Sequence, residues 1–464
     1  MDTTHRTEQD SMGTVSVPAE AWWGAQTQRA LAVGAISGRP MPRPLLHALA
    51  RVKRACAHAN GELGLLSPDR ATAIAEAARQ VISGQHDDQF PVDCYQTGSG
   101  TASNMNMNEV LGNLASVALG GERGTRSPVH PNDHVNLGQS SNDAVPTALH
   151  LAAALEIDHR LVPALRALHA ALLDKDLAWQ PVLKAGRTHL MDATPIRLGQ
   201  EVGGWAAQVE HGLRRASQAR EALMELALGG TAVGTGLNRH ERLPALAIER
   251  LRQETGLPLR EAADHFEAQG ARDGVVEAHG LLETIATSLF KIAQDLRLLA
   301  SGPRTGLAEL RLPALAPGSS IMPGKVNPVM CEVLTQACAR VIGNGATVRV
   351  AGMGGQLQLN VFVPVLAEAL LDSIGILAQS SAAFTDQAVL GMEVNRERCE
   401  DHLEQSLMSA TALVPALGYD RTAALAKQAL ASGRTLRELA RDLLPAEELD
   451  RLLDYAAMTR PSGD

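Results

Sequence analysis

Between Gly318 and Pro328 the chain places the hydroxyls of Ser319 and Ser320, the ammonium of Lys325 and the amide of Asn327 within one short segment. Gly318 and Gly324 permit backbone angles closed to other residues, and Pro323 and Pro328 restrict the segment between and after them. The spacing predicts a stiff flap on permissive hinges, presenting hydroxyls, a cation and an amide together to a small oxyanion such as a carboxylate. Asn327 then reads as a helix cap and Pro328 as the first helical position. Val329, Met330, Val333, Leu334, Ala337, Val341 and Ile342 continue that helix at three- and four-residue steps.

Other polar clusters suit the same kind of chemistry. Glu332 lies in the first turns of the flap helix, where the macrodipole favours an acid. Gly186-Arg187-Thr188-His189 sets a histidine beside a hydroxyl, and imidazole is the usual proton carrier near neutral pH. The chain has 15 histidines, so residue type alone does not single out His189. Gly98-Ser99-Gly100-Thr101 offers hydroxyls and backbone donors but lacks the glycine spacing and the lysine of a phosphate-binding loop. Gly229 to Gly236 gives the same false alarm and reads as a tight turn. Ser140-Ser141-Asn142 stands where a helix should begin, so its groups can cap that helix or face an anion at its positive end. His130-Pro131-Asn132-Asp133-His134 gathers imidazole and carboxylate, but proline breaks the helical register and no other ligand group is near in sequence. No metal site is expected there.

The elements that must position these groups are mainly helical. The chain has 464 residues, enough for a large core, and its 45% apolar and 20% charged composition is that of a globular protein. Only 3% of residues are aromatic, so core volume must come from aliphatic packing between long helices. Ala278, Leu282, Ile285, Leu289, Ile292, Leu296 and Leu299 keep a strict heptad. Val202, Trp205, Val209, Leu213 and Ala216 repeat the theme, as do Leu151, Leu155, Leu161, Leu165, Leu168 and Leu172. With the helix after Pro328 and another from Pro364 to about Ser380, five long helices are expected. The sequence divides into a mixed N-terminal domain at 1–139, a central five-helix bundle at 140–396 and a small helical C-terminal domain at 397–464. Helical pattern also covers Pro44 to Leu63, Ser67 to Ser83, Ala423 to Ala431 and Thr435 to Leu444.

A formal charge of -9 gives no support to a nucleic-acid or membrane partner. Five cysteines without a CxxC pair argue against a disulfide framework or zinc knuckle and fit a reducing compartment. The opening residues lack the apolar core of a signal peptide, and no run reaches the length of a membrane span. A cytoplasmic protein is the expectation.

The flap segment resembles the GSSxMPxKxN signature of the fumarase/aspartase superfamily at every specified position. Gly186 to Glu201 is similar to the family's GRTHLxDAxPxxLGQE. The runs TGSGTxSNMNxNEV, HPNDHVNxxQSSND, GGTAVGTGLN and GSSIMPGKVNP resemble the class II fumarase branch, whereas aspartases typically carry alanine in place of Ser99 and Gly324. The resemblance extends from Arg6 to roughly Met458. It implies a mainly α, three-domain fold with a central five-helix bundle, assembling as a homotetramer with a twenty-helix core. It also implies reversible anti elimination of water from L-malate to fumarate through an aci-carboxylate, a tricarboxylic acid cycle step, with a small dicarboxylate as substrate and no metal or organic cofactor.

The resemblance further implies roles for residues. Ser319 takes the C3 proton. His189, paired with Glu332, handles the departing hydroxyl. Ser99, Gly100, Thr101, Ser140, Ser141, Asn142, Thr188, Ser320, Lys325 and Asn327 bind substrate, while Arg126, His130, Asn132 and Asp133 form a second dicarboxylate site. Two positions depart from the pattern: Arg126 lies one residue further from His130 than the fumarase arginine usually does, and Val363 stands where a lysine is common. Aspartate ammonia-lyase activity and a non-catalytic, crystallin-like role are the alternatives within the same superfamily.

Overall fold

A computed structural model of the chain describes residues 4–461, so the outermost residues of the 1–139 and 397–464 ranges lie outside the described residues. The five long helices expected from the periodicity are present. Ser141–Glu156 continues through a π-turn, Ile157–Leu161, into Val162–Trp179; the others are Leu198–Glu221, Asp273–Leu299, Val329–Gly352 and Val363–Phe384. The heptad residues from Ala278 to Leu299 are all buried, as an a/d stripe facing neighbouring helices requires. Contrary to the sequence expectation that no run reaches a membrane span, the stretch Val363–Val389 is long and apolar enough to cross one, but most of it is buried within the fold as a core helix is.

Packing divides the chain into two compact units that are not contiguous in sequence. One comprises residues 1–163, 214–286 and 338–379, the other 164–213, 287–337 and 380–464. In the first, helix Arg43–Glu62 packs against Pro68–Ile82, Ser141–Glu156 and Leu243–Thr255, and Pro68–Ile82 packs against Thr101–Ala118. The N-terminal hairpin pairs His5–Asp10 with Gly13–Pro18. Glu109, inside Thr101–Ala118, accepts from the backbone N–H groups of Gly24, Gln26 and Thr27 at 2.8–3.0 Å. A carboxylate from a distant helix thus satisfies the orphan donors at the start of Ala25–Ala32.

In the second unit, strands Leu183–Thr188 and Met191–Arg197 form a hairpin, and Leu310–Arg311 pairs with Glu393–Val394. The periodicity gave no signal for either. Toward the C-terminus, Tyr419–Ser432, Leu436–Ala440 and Ala446–Leu452 close a small core around Leu413, Leu425, Leu436, Leu439 and Leu449. Gly433 ends the first of these helices in the left-handed region at φ 68°, and Thr435 with Glu438 opens the next through a capping box. All five cysteines are buried and unpaired.

Candidate active site

The hydroxyl cluster in the first unit is built where two helix N-termini meet. Gly100 precedes helix Thr101–Ala118 with φ 75°, a conformation that favours glycine, and a Cβ there would lie 2.8 Å from Val145. This delivers Thr101 as the first helical residue. Its Oγ1 stands 2.8 Å from Ser99 Oγ and 2.8 Å from Ser141 Oγ, so three hydroxyls form one chain. The N-terminal N–H groups and these hydroxyls are donors converging on one region, the chemistry that recognises a carboxylate.

Ser140 caps Ser141–Glu156, as its position in the sequence suggests. It shares a capping box with Asp143, whose Oδ1 accepts from Ser140 N at 2.8 Å. The other oxygen of Asp143 accepts from the N–H groups of Gly229 and Thr231, both at 3.0 Å, and Asn142 Nδ2 donates to Ala232 O at 2.8 Å. The Gly229–Gly236 segment is therefore the tight turn expected, and it is tied to the start of the helix. Asp143 is fully buried, and burial pushes its carboxyl up even against its backbone donors.

Lys53 is also fully buried and donates to Asn136 Oδ1 at 2.8 Å and to Gln139 Oε1 at 3.0 Å, next to the Ser140 cap. Desolvation lowers its ammonium to about 8. Neither Lys53 nor Asp143 was singled out by the sequence reading. A lysine three residues before a cysteine in a helix gives no local sign that it will be buried, whereas Asp143 was legible as the third partner of an N-cap box.

In the second unit, Ser319 lies in the exposed flap. Its Oγ accepts from Ile321 N at 3.2 Å and Met322 N at 3.0 Å, two backbone donors aimed at one hydroxyl oxygen. The flap is closed at its base by Gly318 N donating to Lys325 O at 2.7 Å, with Gly324 in the left-handed region at φ 81°. Asn327 is not the helix cap expected from its position. Its Nδ2 donates to Gly318 O at 2.8 Å, so the amide latches the loop, and the helix begins at Val329 with Pro328 O accepting from Cys331 N and Glu332 N. A loop-closing bond outcompetes the local capping geometry here. A polar cavity of about 650 Å³ beside the flap is lined by Lys325, Asn327, Glu332, Arg297, Arg311 and Asn395, among others.

His189 occupies the tip of the hairpin. His189 and Leu190 have φ of 56° and 62°, the pattern of a type I′ turn, and both side chains are exposed. Two non-glycine residues in this region hold strain of about 1–2 kcal/mol each. Thr188 precedes them at the end of its strand. Among the described residues no hydrogen bond joins His189 to Glu332 within the chain. Ser320 is exposed beside Ser319.

Of the residues assigned to a second site, His130, Asn132 and Asp133 share one short turn. Arg126 has φ 58°, and His130 Nδ1 accepts from Asn132 N and Asp133 N, both at 3.2 Å, to cap the short turn Pro131–Val135. His130 N in turn donates to His134 Nδ1 at 2.8 Å. A lone pair on each of these imidazoles is thereby engaged by backbone. The side chains of Asn132 and Asp133 are exposed.

The chain matches a family model described as lyase over residues 13–343 and one described as fumarase C C-terminus over residues 410–460. It is 51% identical over 461 residues to a protein from Methylorubrum extorquens named fumarate hydratase class II, covering 99% of this chain and 98% of that one. The crystal structure of recombinant class II fumarase from Schistosoma mansoni superposes with a TM-score of 0.95 at 40% identity, over 99% of this chain and 100% of that one. A fumarate lyase:delta crystallin structure from Brucella melitensis, bound to cobalt, gives a TM-score of 0.95 at 44% identity, over 98% of this chain and 100% of that one.

Proposed function

The chain belongs to the class II fumarate hydratases, within the lyase family, and from that premise we propose how its residues interconvert L-malate and fumarate plus water. Removing a proton from the carbon beside a carboxylate creates a dianionic aci-carboxylate, which at neutral pH requires fixed positive charge and hydrogen-bond donors. Ser319 is the base that takes the C3 proton. The observation that carries this reading is the pair of N–H groups, from Ile321 and Met322, already directed at Ser319 Oγ. An alkoxide there meets preformed donors, so little reorganisation is needed when the charge appears. Lys325 supplies the neighbouring cation, and Asn327 holds the flap closed at its base.

His189 protonates the departing hydroxyl, which leaves as water on the face opposite the proton. Glu332 is the carboxylate partner that orients and stabilises its imidazolium. Ser99, Thr101, Ser141 and Asn142, with Thr188 and Ser320, grip the two carboxylates and the hydroxyl, and the backbone at Gly100 and Ser140 sets the two helix starts. Arg126, His130, Asn132 and Asp133 hold a second dicarboxylate. Parent enzyme given L-malate should raise the ultraviolet absorbance of fumarate, and aspartate as sole substrate should release no ammonia. Ammonia release at a comparable rate would instead support the aspartase alternative.

The working form is a homotetramer in the cytoplasm whose active sites are shared between chains. Large apolar side chains stand exposed along the long helices, among them Leu173 and Leu177, Phe290 and Leu298, and Ile342 and Val350, surface that packing against other chains would cover. Five unpaired, buried cysteines fit a reducing compartment. Sharing also accounts for a proton-transferring histidine that has no carboxylate partner among the described residues of its own chain, because Glu332 can come from a neighbouring subunit. Mixing inactive Ser319→Ala with inactive His189→Asn protein after reversible dissociation should restore activity in hybrids that regain an intact site. Verified hybrids without recovery would mean that each chain builds its own site.

A further inference from the structure

His189 stands on an exposed turn, yet the root of its hairpin carries the most heavily charged buried cluster of the second unit. Glu309 is completely buried. Its Oε2 lies 2.9 Å from Lys184 Nζ, and its Oε1 lies 2.8 Å from Arg187 Nη2 and 3.0 Å from His402 Nδ1. Lys184 is itself buried and donates to Glu201 Oε2 at 2.7 Å. Lys184 and Arg187 face the two carboxylates of Glu201 and Glu309, and His402 Nδ1 donates to Glu309 Oε1. Burial by itself pushes the Glu309 carboxyl up, but Lys184, Arg187 and His402 together outweigh it and hold the group below its ordinary value.

The members of this cluster come from separate elements. Lys184 and Arg187 lie on the strand that leads directly to His189, and Glu201 opens helix Leu198–Glu221 after the return strand. His402 comes from helix Arg396–Gln405, which packs on the Leu183–Thr188 strand. The backbone of Glu309 is fixed too, since its N donates to Leu299 O and its O accepts from Asn395 N, both at 2.9 Å. Arg187 is two residues from His189 and falls on the far side of a register shift between Ala185 and Arg187. A two-stranded ribbon with an irregular register has little intrinsic stiffness. An ion pair that engages both oxygens of one buried carboxylate supplies what the strand ladder does not.

We propose that Glu309, reached by Lys184 and Arg187 from the hairpin and by His402 from helix Arg396–Gln405, is a positioning residue that fixes His189 for proton transfer. It touches no substrate and acts through the strand that ends at His189. The proposal rests on the reading of His189 as the acid/base group for the hydroxyl, and the test separates the two.

The experiment measures kcat and KM for L-malate in the assembled Glu309→Gln enzyme, alongside its thermal midpoint and oligomeric mass. Glutamine keeps the shape but turns one end of the acceptor fork into a donor facing the cations. A displaced imidazole should lower kcat by on the order of 100-fold, while KM changes by less than about tenfold, because Thr188 is the one substrate-gripping residue carried by the hairpin and the hydroxyl cluster is untouched. If Glu309→Gln does not assemble, His402→Asn removes one contact and leaves both cations paired. It should lower kcat by about fivefold with the same split. Folded, assembled variants with kcat within about twofold of the parent, or with the loss entirely in KM, overturn the proposal. His189→Asn serves as the control. An active control sinks the reading of His189 itself, whereas an inactive control beside a fully active Glu309→Gln sinks only the positioning role.

Discussion

The flap around Ser319 and the hydroxyl cluster around Thr101 both offer donors to a small anion, but they are built in opposite ways. In the flap, Ser320 and Lys325 are exposed and Ser319 and Asn327 half-buried, and the loop is held by bonds within itself: Ser319 to its own downstream N–H groups, Gly318 to Lys325, and Asn327 to Gly318. In the cluster, Ser99 and Ser141 are buried at two helix starts, and the support beneath them, Asp143 and Lys53, is fully buried and bonded to segments far away in sequence. A side chain in the flap can be changed with little effect on the core. A side chain beneath the cluster cannot, because each buried polar partner it leaves behind loses its compensation.

The sharpest way to break this comparison is at its two centres. Ser319→Ala should lower kcat by on the order of 10³-fold, within the range for a lost acid/base group, and leave the thermal midpoint near the parent's. Thr101→Ala should act mainly on KM, raising it about tenfold, because a hydrogen bond to a charged group contributes about 1.5 kcal/mol or more. Steady-state kinetics with calorimetry on both variants tests the contrast. Equal effects on kcat would erase the division of labour.

The next effect concerns stability. Asp143→Ala leaves the N–H groups of Ser140, Gly229 and Thr231 without their acceptor and should cost about 3 kcal/mol by denaturant unfolding. A loss under 1 kcal/mol would mean that the support beneath the cluster is no stiffer than the flap.

Lys53 gives a test by pH. Its folded value of about 8 is below the ordinary lysine value of 10.5, so between those values the unfolded chain binds a proton that the folded chain does not. Stability contributed through this group therefore rises with pH across that window, and the burial penalty is fully present below pH 8. Relative to Lys53→Met, the parent should gain about 2 kcal/mol between pH 7 and pH 10, read from unfolding midpoints. A flat difference would place the Lys53 ammonium in water rather than beneath the cap.

The smallest effect lies outside both regions. Thr435→Ala removes one capping box in the C-terminal segment and should cost about 1 kcal/mol, with kcat and KM unchanged. A kinetic change there would show that the C-terminal core constrains the flap or the cluster more than its distance in sequence suggests.

The sequence by itself determined the five long helices, because an apolar stripe at heptad spacing is a local pattern that any packed partner satisfies. It also determined the Ser140 cap and the Gly433 stop, where the group and its backbone partner are a few residues apart. The chemistry of the flap was legible in the same way, since Ser319 and the N–H groups directed at it belong to one loop. Only the tertiary structure decided that Asn327 latches the flap instead of capping the helix, and that His189 rides on a hairpin tip. The strand before it, Lys184-Ala185-Gly186-Arg187-Thr188, has no alternation of apolar and polar residues. It is a strand because Glu309 and His402, more than a hundred residues later in the chain, make a buried lysine and a half-buried arginine tolerable; Glu201, nearby in sequence, pairs with the lysine, but the carboxylate that joins both cations comes from far along the chain.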